Sequence, residues 1–187
     1  MRAPIGDFDD ALPAPDSLDL LTAPVAAAVR AWTGPVPADQ ILYVDTDPAI
    51  ADTAVFVEHY GPDLLDQSAN CVVVAGKRGE TTTLAACVVK SATRVDVNGV
   101  VRKHLGVRKA RFASMETATG DSGMEYGGIT PLGLPADWNL LVDAAVVDTP
   151  WVLIGSGRRR GKIIMPGKAF AQLPNAVVLE DLGRPAS

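Results

Sequence analysis

Two glycine-rich loops hold the residues of this chain best suited to chemistry. The first reads Gly127-Gly128-Ile129-Thr130-Pro131-Leu132-Gly133, and the second reads Gly155-Ser156-Gly157-Arg158-Arg159-Arg160-Gly161. Glycine admits left-handed backbone and a close approach of main chain to ligand, so paired loops of this kind can gather backbone N–H donors. Donors so gathered hold a phosphate, or the oxyanion that forms when an ester is attacked, without a side-chain nucleophile. A tight turn for the first loop, and a helix cap for Asp143 between the loops, are the plainer readings of the same residues.

Other chemistries fit less well. Gly155-x-Gly157-x-x-x-Gly161 after a strand has the look of a dinucleotide fingerprint, but a true fingerprint opens a helix. Here Lys162-Ile-Ile-Met165 followed by Pro166 reads as a second strand, which makes the loop a hairpin. A Gly-x-Ser-x-Gly elbow is missing because Ile154 stands where its first glycine would be. Neither a Walker A sequence nor a His-Glu-x-x-His helix occurs. Cys71 and Cys87 lie singly in Val/Ala-rich runs, far in sequence from His59 and His104, so both read as reduced core thiols. No metal and no cofactor is expected.

The elements that must position the loops follow from the punctuation of the chain. At 187 residues, 48% hydrophobic and 21% charged, the chain has the size and balance of one soluble globular domain. No run reaches the ~20 apolar residues of a membrane span, and the first ten residues lack the apolar core of a signal peptide. The expected location is the cytoplasm. Residues 1–16 read as a loose Pro/Asp/Ala-rich leader. Thr22 caps and Pro24 opens a helix that Gly34-Pro35 stops, completing an N-terminal segment of residues 1–40. Ile41–Val44 is a strand, and Asp47 caps a helix through Val57 that ends at Gly61-Pro62.

Strands at Asn70–Ala75 and Thr82–Val89 flank a turn at Gly76–Gly79. Asp96 caps a helix with Val97, Val100, Val101 and Leu105 on one face, and Gly106 ends it. A strand near Lys109–Phe112, a helix from Ser114, a strand Asn139–Val142, the hairpin Trp151–Ile154 with Ile163–Met165, and a helix near Gly167 complete the chain. Hairpins among short helices favour α+β, with a mixed, curled, barrel-like sheet and the helices packed around it.

Charge is unevenly divided. Residues 1–66 carry 12 acids and 2 bases, whereas residues 67–187 carry 10 acids and 15 bases. The bases cluster at Arg102, Lys103, Arg108, Lys109 and Arg111, and again at Arg158, Arg159, Arg160 and Lys162. Each cluster suits a phosphate backbone, or equally a solvated helix face and a charged hairpin tip.

Taken as a set, Gly123-Met-Glu-Tyr-Gly-Gly-Ile-Thr-Pro-Leu-Gly133, Leu141-Val-Asp143 and Ile154-Gly-Ser-Gly-Arg-Arg-Arg-Gly161 resemble the YbaK/prolyl-tRNA synthetase-associated domain family. The order Asp47-Pro48, Ser68–Val74, Leu105-Gly106 agrees, and the resemblance spans residues 41–183. It implies a freestanding trans-editing hydrolase that frees tRNA from a wrongly attached small amino acid, of the Cys- or Ala-tRNA(Pro) type. Partners would then be mischarged tRNA and an aminoacyl-tRNA synthetase, with no membrane. In such enzymes amides of Gly127, Gly128 and Ile129 would line the ester, Thr130 and Pro131 would shape a small pocket, and Asp143 would bind the amino group or the ribose. Gly155, Ser156 and Gly157 would form the opposite wall, and Arg158, Arg159, Arg160 and Lys162 would contact tRNA. The sequence departs from the family in one place. A lysine usual at the head of the first long strand is replaced by Asn70, and Lys77 stands seven residues further on as a possible substitute. The same change supports a second reading, a catalytically weak or inactive module that binds tRNA 3′ ends or a synthetase.

Overall fold

A computed structural model gives the structure of residues 1–50 and 52–186. Two sheets meet at the candidate site. One is antiparallel, with strands β1 (Ala11–Pro13), β2 (Leu42–Val44), β8 (Trp151–Gly155) and β9 (Lys162–Pro166) in the order β1-β2-β9-β8. The other is mixed. It is built from β3 (Ala69–Arg78), β4 (Thr81–Lys90), β6 (Lys109–Phe112), β7 (Asn139–Asp143) and β10 (Ala176–Leu179) in the order β10-β7-β4-β3-β6. There β10-β7 and β7-β4 pair in parallel, while β3 pairs antiparallel with β4 and β6. A single bridge from Ser68 to Leu153 joins the sheets, and a ribbon of β5 (Thr93–Val95) with β11 (Gly183–Pro185) stands apart. The sheets curl together without closing a barrel. This is the α+β architecture that the alternating punctuation implies.

The helices are short: α1 (Ala23–Arg30), α2 (Thr53–Tyr60), α3 (Leu64–Gln67), α4 (Arg102–Leu105), α5 (Met115–Ser122) and α6 (Ala144–Val147). Short helices gain little from propensity and are held by burial of one face. Val25 and Val29 of α1 and Phe56 of α2 are buried accordingly. The main core gathers Val73, Ala86, Leu140, Ile154, Ile163 and Met165 from both sheets.

Several expectations need correction. Residues 1–16 are not a loose leader, because Ala3, Ile5, Ala11 and Ala14 are buried and β1 forms the edge of the antiparallel sheet. The Met1 ammonium is held by the Asp10 carboxylate. The helix expected from Asp47 begins later. Asp52 caps it by accepting from the Ala54 and Val55 amides, while Asp47 turns back to the Ala49 amide. Ala51, within that expected helix, lies outside the described residues. Asp52 prevails because its oxygen reaches two orphan amides of a helix that starts on its own side. The turn between β3 and β4 is tighter than expected, since pairing runs on to Arg78 opposite Thr81. Gly79 supplies the left-handed residue there, at φ +62°. Asp96 caps as expected, through Gly99 and Val100, but the turn behind it is π-type before α4 begins. Thr22 precedes α1 without a side-chain capping bond.

Candidate active site

A cleft of about 700 Å³ opens where the two sheets meet. Its walls are apolar: Ile50, Phe56 and Val57 from the α2 side, Val73 from β3, and Leu153 and Ile154 from β8. The polar groups around it are few. They are Asn70, the Ser68–Ser91 hydroxyl pair at 2.9 Å, Thr46, Thr53, Tyr126, Arg159 and Lys162, and the loop residues Gly127 and Ile129 border it as well. Among the described residues no Asp, Glu or His lines it. A carboxylate or imidazole general base is therefore not at hand among the described residues. Cys71 does line the cleft, but burial pushes its thiol well above the ordinary value, and a thiol that stays protonated is a poor nucleophile.

The glycine loops do face each other, and the contact is main chain on main chain. The Gly157 amide donates to the Gly128 carbonyl at 2.7 Å, the Glu125 amide to the Gly157 carbonyl at 2.8 Å, and the Gly128 amide to the Glu125 carbonyl at 3.0 Å. A Cβ on Gly128 would fall 2.4 Å from the Arg158 carbonyl oxygen, and one on Gly155 would fall 2.6 Å from that of Gly128. Glycine is required at both places by this packing. Gly128 thus spends its amide within the loop. The amides of Gly127 and Ile129 have no acceptor among the described residues, and both residues border the cleft.

The structure brings Gly127, Ile129, Asn70, Gly155, Arg159 and Lys162 to this cleft and leaves other expected residues outside it. Asp143 is 5% exposed and caps α6 by accepting from the Ala145 amide, and its second oxygen accepts from the Gly183 amide. Both its oxygens are engaged in holding the fold, and the residue does not border the cleft. Thr130 is fully buried behind the loop, and Pro131 borders a separate apolar hollow with Pro24, Trp32 and Trp138. Ser156, also fully buried, staples its own hairpin, accepting from the Arg158 amide and lying within bonding distance of the Arg158, Arg160 and Gly161 carbonyls. Gly157 packs on Thr22 and Val25 of the α1 start.

The basic loop is also partly spent inside the fold. The Arg158 guanidinium donates to the Leu21 carbonyl at 3.1 Å, and Arg160 forms a fork onto both Asp45 oxygens at 2.8 and 2.7 Å. Arg160 holds the Asp45 carboxyl below its ordinary value. Arg159 alone of the three borders the cleft.

Lys162 is the residue whose place was least visible. It stands opposite Gly155 in the β8–β9 hairpin and opposite Val44 of β2, with its ammonium 5.9 Å from the Phe56 ring centroid. Burial pulls its pKa below the usual lysine value, and no carboxylate pairs with it among the described residues. The alternation of β9 carried the signal, because a strand that buries Ile164 turns Lys162 to the same face. Lys77 lies at the far end of β3, paired with Thr82 and Lys109, and does not border the cleft.

Among the described residues, no group of three or more His, Cys, Asp or Glu gathers where a metal ion could be held. The aminoacyl-tRNA editing domain profile matches residues 47–173, and the chain belongs to that family. Among solved structures it is similar to one described as a candidate trans-editing enzyme for prolyl-tRNA synthetase. That likeness has a TM-score of 0.69 and 17% identity, over 87% of this chain and 96% of the other. A computationally designed epitope scaffold superposes equally well, with a TM-score of 0.70 and 16% identity over 88% of this chain and 97% of the other. At such identities the likeness establishes the fold alone. Among curated proteins none matches the chain.

Proposed function

We propose that this protein is a trans-editing hydrolase that deacylates tRNA mischarged with a small amino acid, of the Cys- or Ala-tRNA(Pro) type. The observation that carries the reading is the cleft itself, bordered by Gly127 and Ile129, whose amides are unspent, by a lysine and, among the described residues, by no carboxylate or histidine. A site of that composition orients an ester and stabilises charge on its carbonyl oxygen, leaving water activation to the substrate's own ribose hydroxyl. Gly127 and Ile129 supply the amides, and Lys162 supplies the cation that Asn70 lacks. At about 700 Å³ the cleft exceeds a small amino acid and falls within the usual range of ~300–1,000 Å³ for ligand sites. That leaves room for the terminal nucleoside with the ester.

The biological need is physical. A synthetic pocket that accepts proline excludes a smaller side chain by only about 1–3 kcal/mol per methylene, so a second site must remove the error. Such an activity belongs in the cytoplasm, beside a synthetase.

The test is release of amino acid from Ala-tRNA(Pro) and Cys-tRNA(Pro), with correctly charged Pro-tRNA(Pro) as control. Release well above the buffer rate from the first two, and not from the third, is expected. Tight tRNA binding with no release from any charged tRNA would instead favour the second reading, a binding module, to which Asn70 points.

A further inference from the structure

The face of the mixed sheet that floors the cleft continues outward into a row of unpaired bases. Across β3 and β6, Lys77 stands opposite Lys109 and Ala75 opposite Arg111, and the Ala113 amide donates to the Val73 carbonyl. Since alternate strand residues share a face, Cys71, Val73, Ala75 and Lys77 lie on one side with Lys109, Arg111 and Ala113. Cys71, Val73 and Ala113 border the cleft, and Lys77, Lys109 and Arg111 are exposed beyond it. None of the three has an ion-pair partner among the described residues. Like charges directly opposite on paired strands destabilise a sheet. A fold that keeps Lys77 against Lys109 on an edge strand is set up to meet a polyanion.

Two further features give that polyanion a direction. Tyr126 borders the cleft yet is 61% exposed, the placement of a ring on which an unpaired base stacks, whereas Phe112 alternates to the opposite face of β6 from Arg111. On the other side of the cleft, Thr46 and Pro48 also border a hollow lined by Asp7, Asp9, Asp10, Asp45 and Asp47. Phosphates are repelled there, and Arg158 and Arg160, which border that hollow, are already engaged by Asp45 and backbone carbonyls.

We propose that the RNA whose 3′ end occupies the cleft leaves it across β6, with its terminal base against Tyr126 and its phosphates along Arg111, Lys109 and Lys77. This rests on the deacylase reading for the identity of the RNA, and it moves the backbone contact away from the Arg158–Arg160 loop.

Binding of uncharged tRNA(Pro), followed by fluorescence anisotropy across a salt series, tests it. The combined variant Lys77→Gln, Lys109→Gln, Arg111→Gln is expected to lose more than about tenfold in affinity at low salt. Its log–log salt slope should drop by about 2 to 3, given roughly 0.7–0.9 per phosphate contact. Arg158→Gln with Arg160→Gln should change affinity by less than about threefold. Lys109→Glu adds a readout that misfolding cannot mimic, because it should raise Tm, by relieving Lys77, while lowering tRNA affinity. An unchanged affinity and slope in the triple variant, or an equal loss in the hairpin pair, overturns the proposal. Hydrolysis of a phosphate-free aminoacyl-adenosine ester separates the two readings. Protein that cleaves this ester without binding tRNA sinks the RNA path alone. Protein that binds tRNA through the strip but cleaves no ester sinks the hydrolase alone.

Discussion

Lys162 concentrates the electrostatics of the cleft in one side chain. Its charged form is penalised by burial, so its folded-state pKa lies below its unfolded value of about 10.4. Between those two values the unfolded chain binds more protons, and stability therefore rises with pH across that window. Below it the buried ammonium is a standing cost, which a cleft tolerates when the charge is needed for binding or catalysis. Lys162→Met is expected to raise stability at pH 7, to abolish that alkaline rise, and to slow deacylation by about 10²–10³-fold. Denaturation at several pH values and a single-turnover rate measure both. A variant as active as the parent would remove Lys162 from the mechanism. The wild-type rate should also fall as pH rises through the depressed lysine value.

At the scale of elements, the site depends on one hairpin pressed against one loop. The β8–β9 hairpin carries Gly155 and Lys162 as register partners, and the 127–129 loop lies on Gly155 with carbonyls where a side chain would go. Placing the lysine and the free amides beside one cleft is therefore a consequence of glycine at 128 and 155. Gly128→Ala is expected to cost about 1–3 kcal/mol of stability, because backbone atoms of Arg158 cannot move aside as a flexible side chain would. Activity should fall with it, and urea denaturation beside deacylation reads both. An unchanged midpoint with lost activity would mean the loops are held elsewhere and the glycine serves the ligand. Gly127 has a different reason: its φ of +83° is left-handed, while a Cβ there would meet only Arg159 at 3.8 Å.

For the whole molecule, the N-terminal segment belongs to the fold that carries the cleft. Without β1 the β2 edge is bare, and an uncovered strand edge invites pairing between copies. Deletion of residues 1–16 also removes the buried side chain of Ile5, a residue type worth roughly 1.5–3 kcal/mol when fully buried. At roughly 2–4 °C per kcal/mol for a chain of this size, that loss alone should lower Tm by about 3–12 °C. Size-exclusion chromatography should show self-association. A monomer with the parent's Tm would restore the segment as a dispensable leader. The charge division has a spatial counterpart at this scale, with aspartates along one side of the cleft and lysines and arginines beyond the other.

Residue order alone was sufficient for whatever depends on local rules. Hairpin turns at Gly79 and at 156–161, the cap at Asp96, the helix start at Ser114, and the α+β alternation follow from backbone freedom and short-range hydrogen bonding, which neighbours in sequence decide. The glycine loops could be singled out for the same reason. What each polar group is free to do was decided by tertiary contacts. Asp143 is the helix cap that its plainer reading allowed; Ser156, Arg158 and Arg160 look available in the sequence and are occupied in the fold, while Lys162 looks like one more surface base and is left without a carboxylate among the described residues. A side chain's chemistry depends on which partners reach it first, and those partners come from segments as distant as Leu21, Asp45 and Gly183, which only folding brings near.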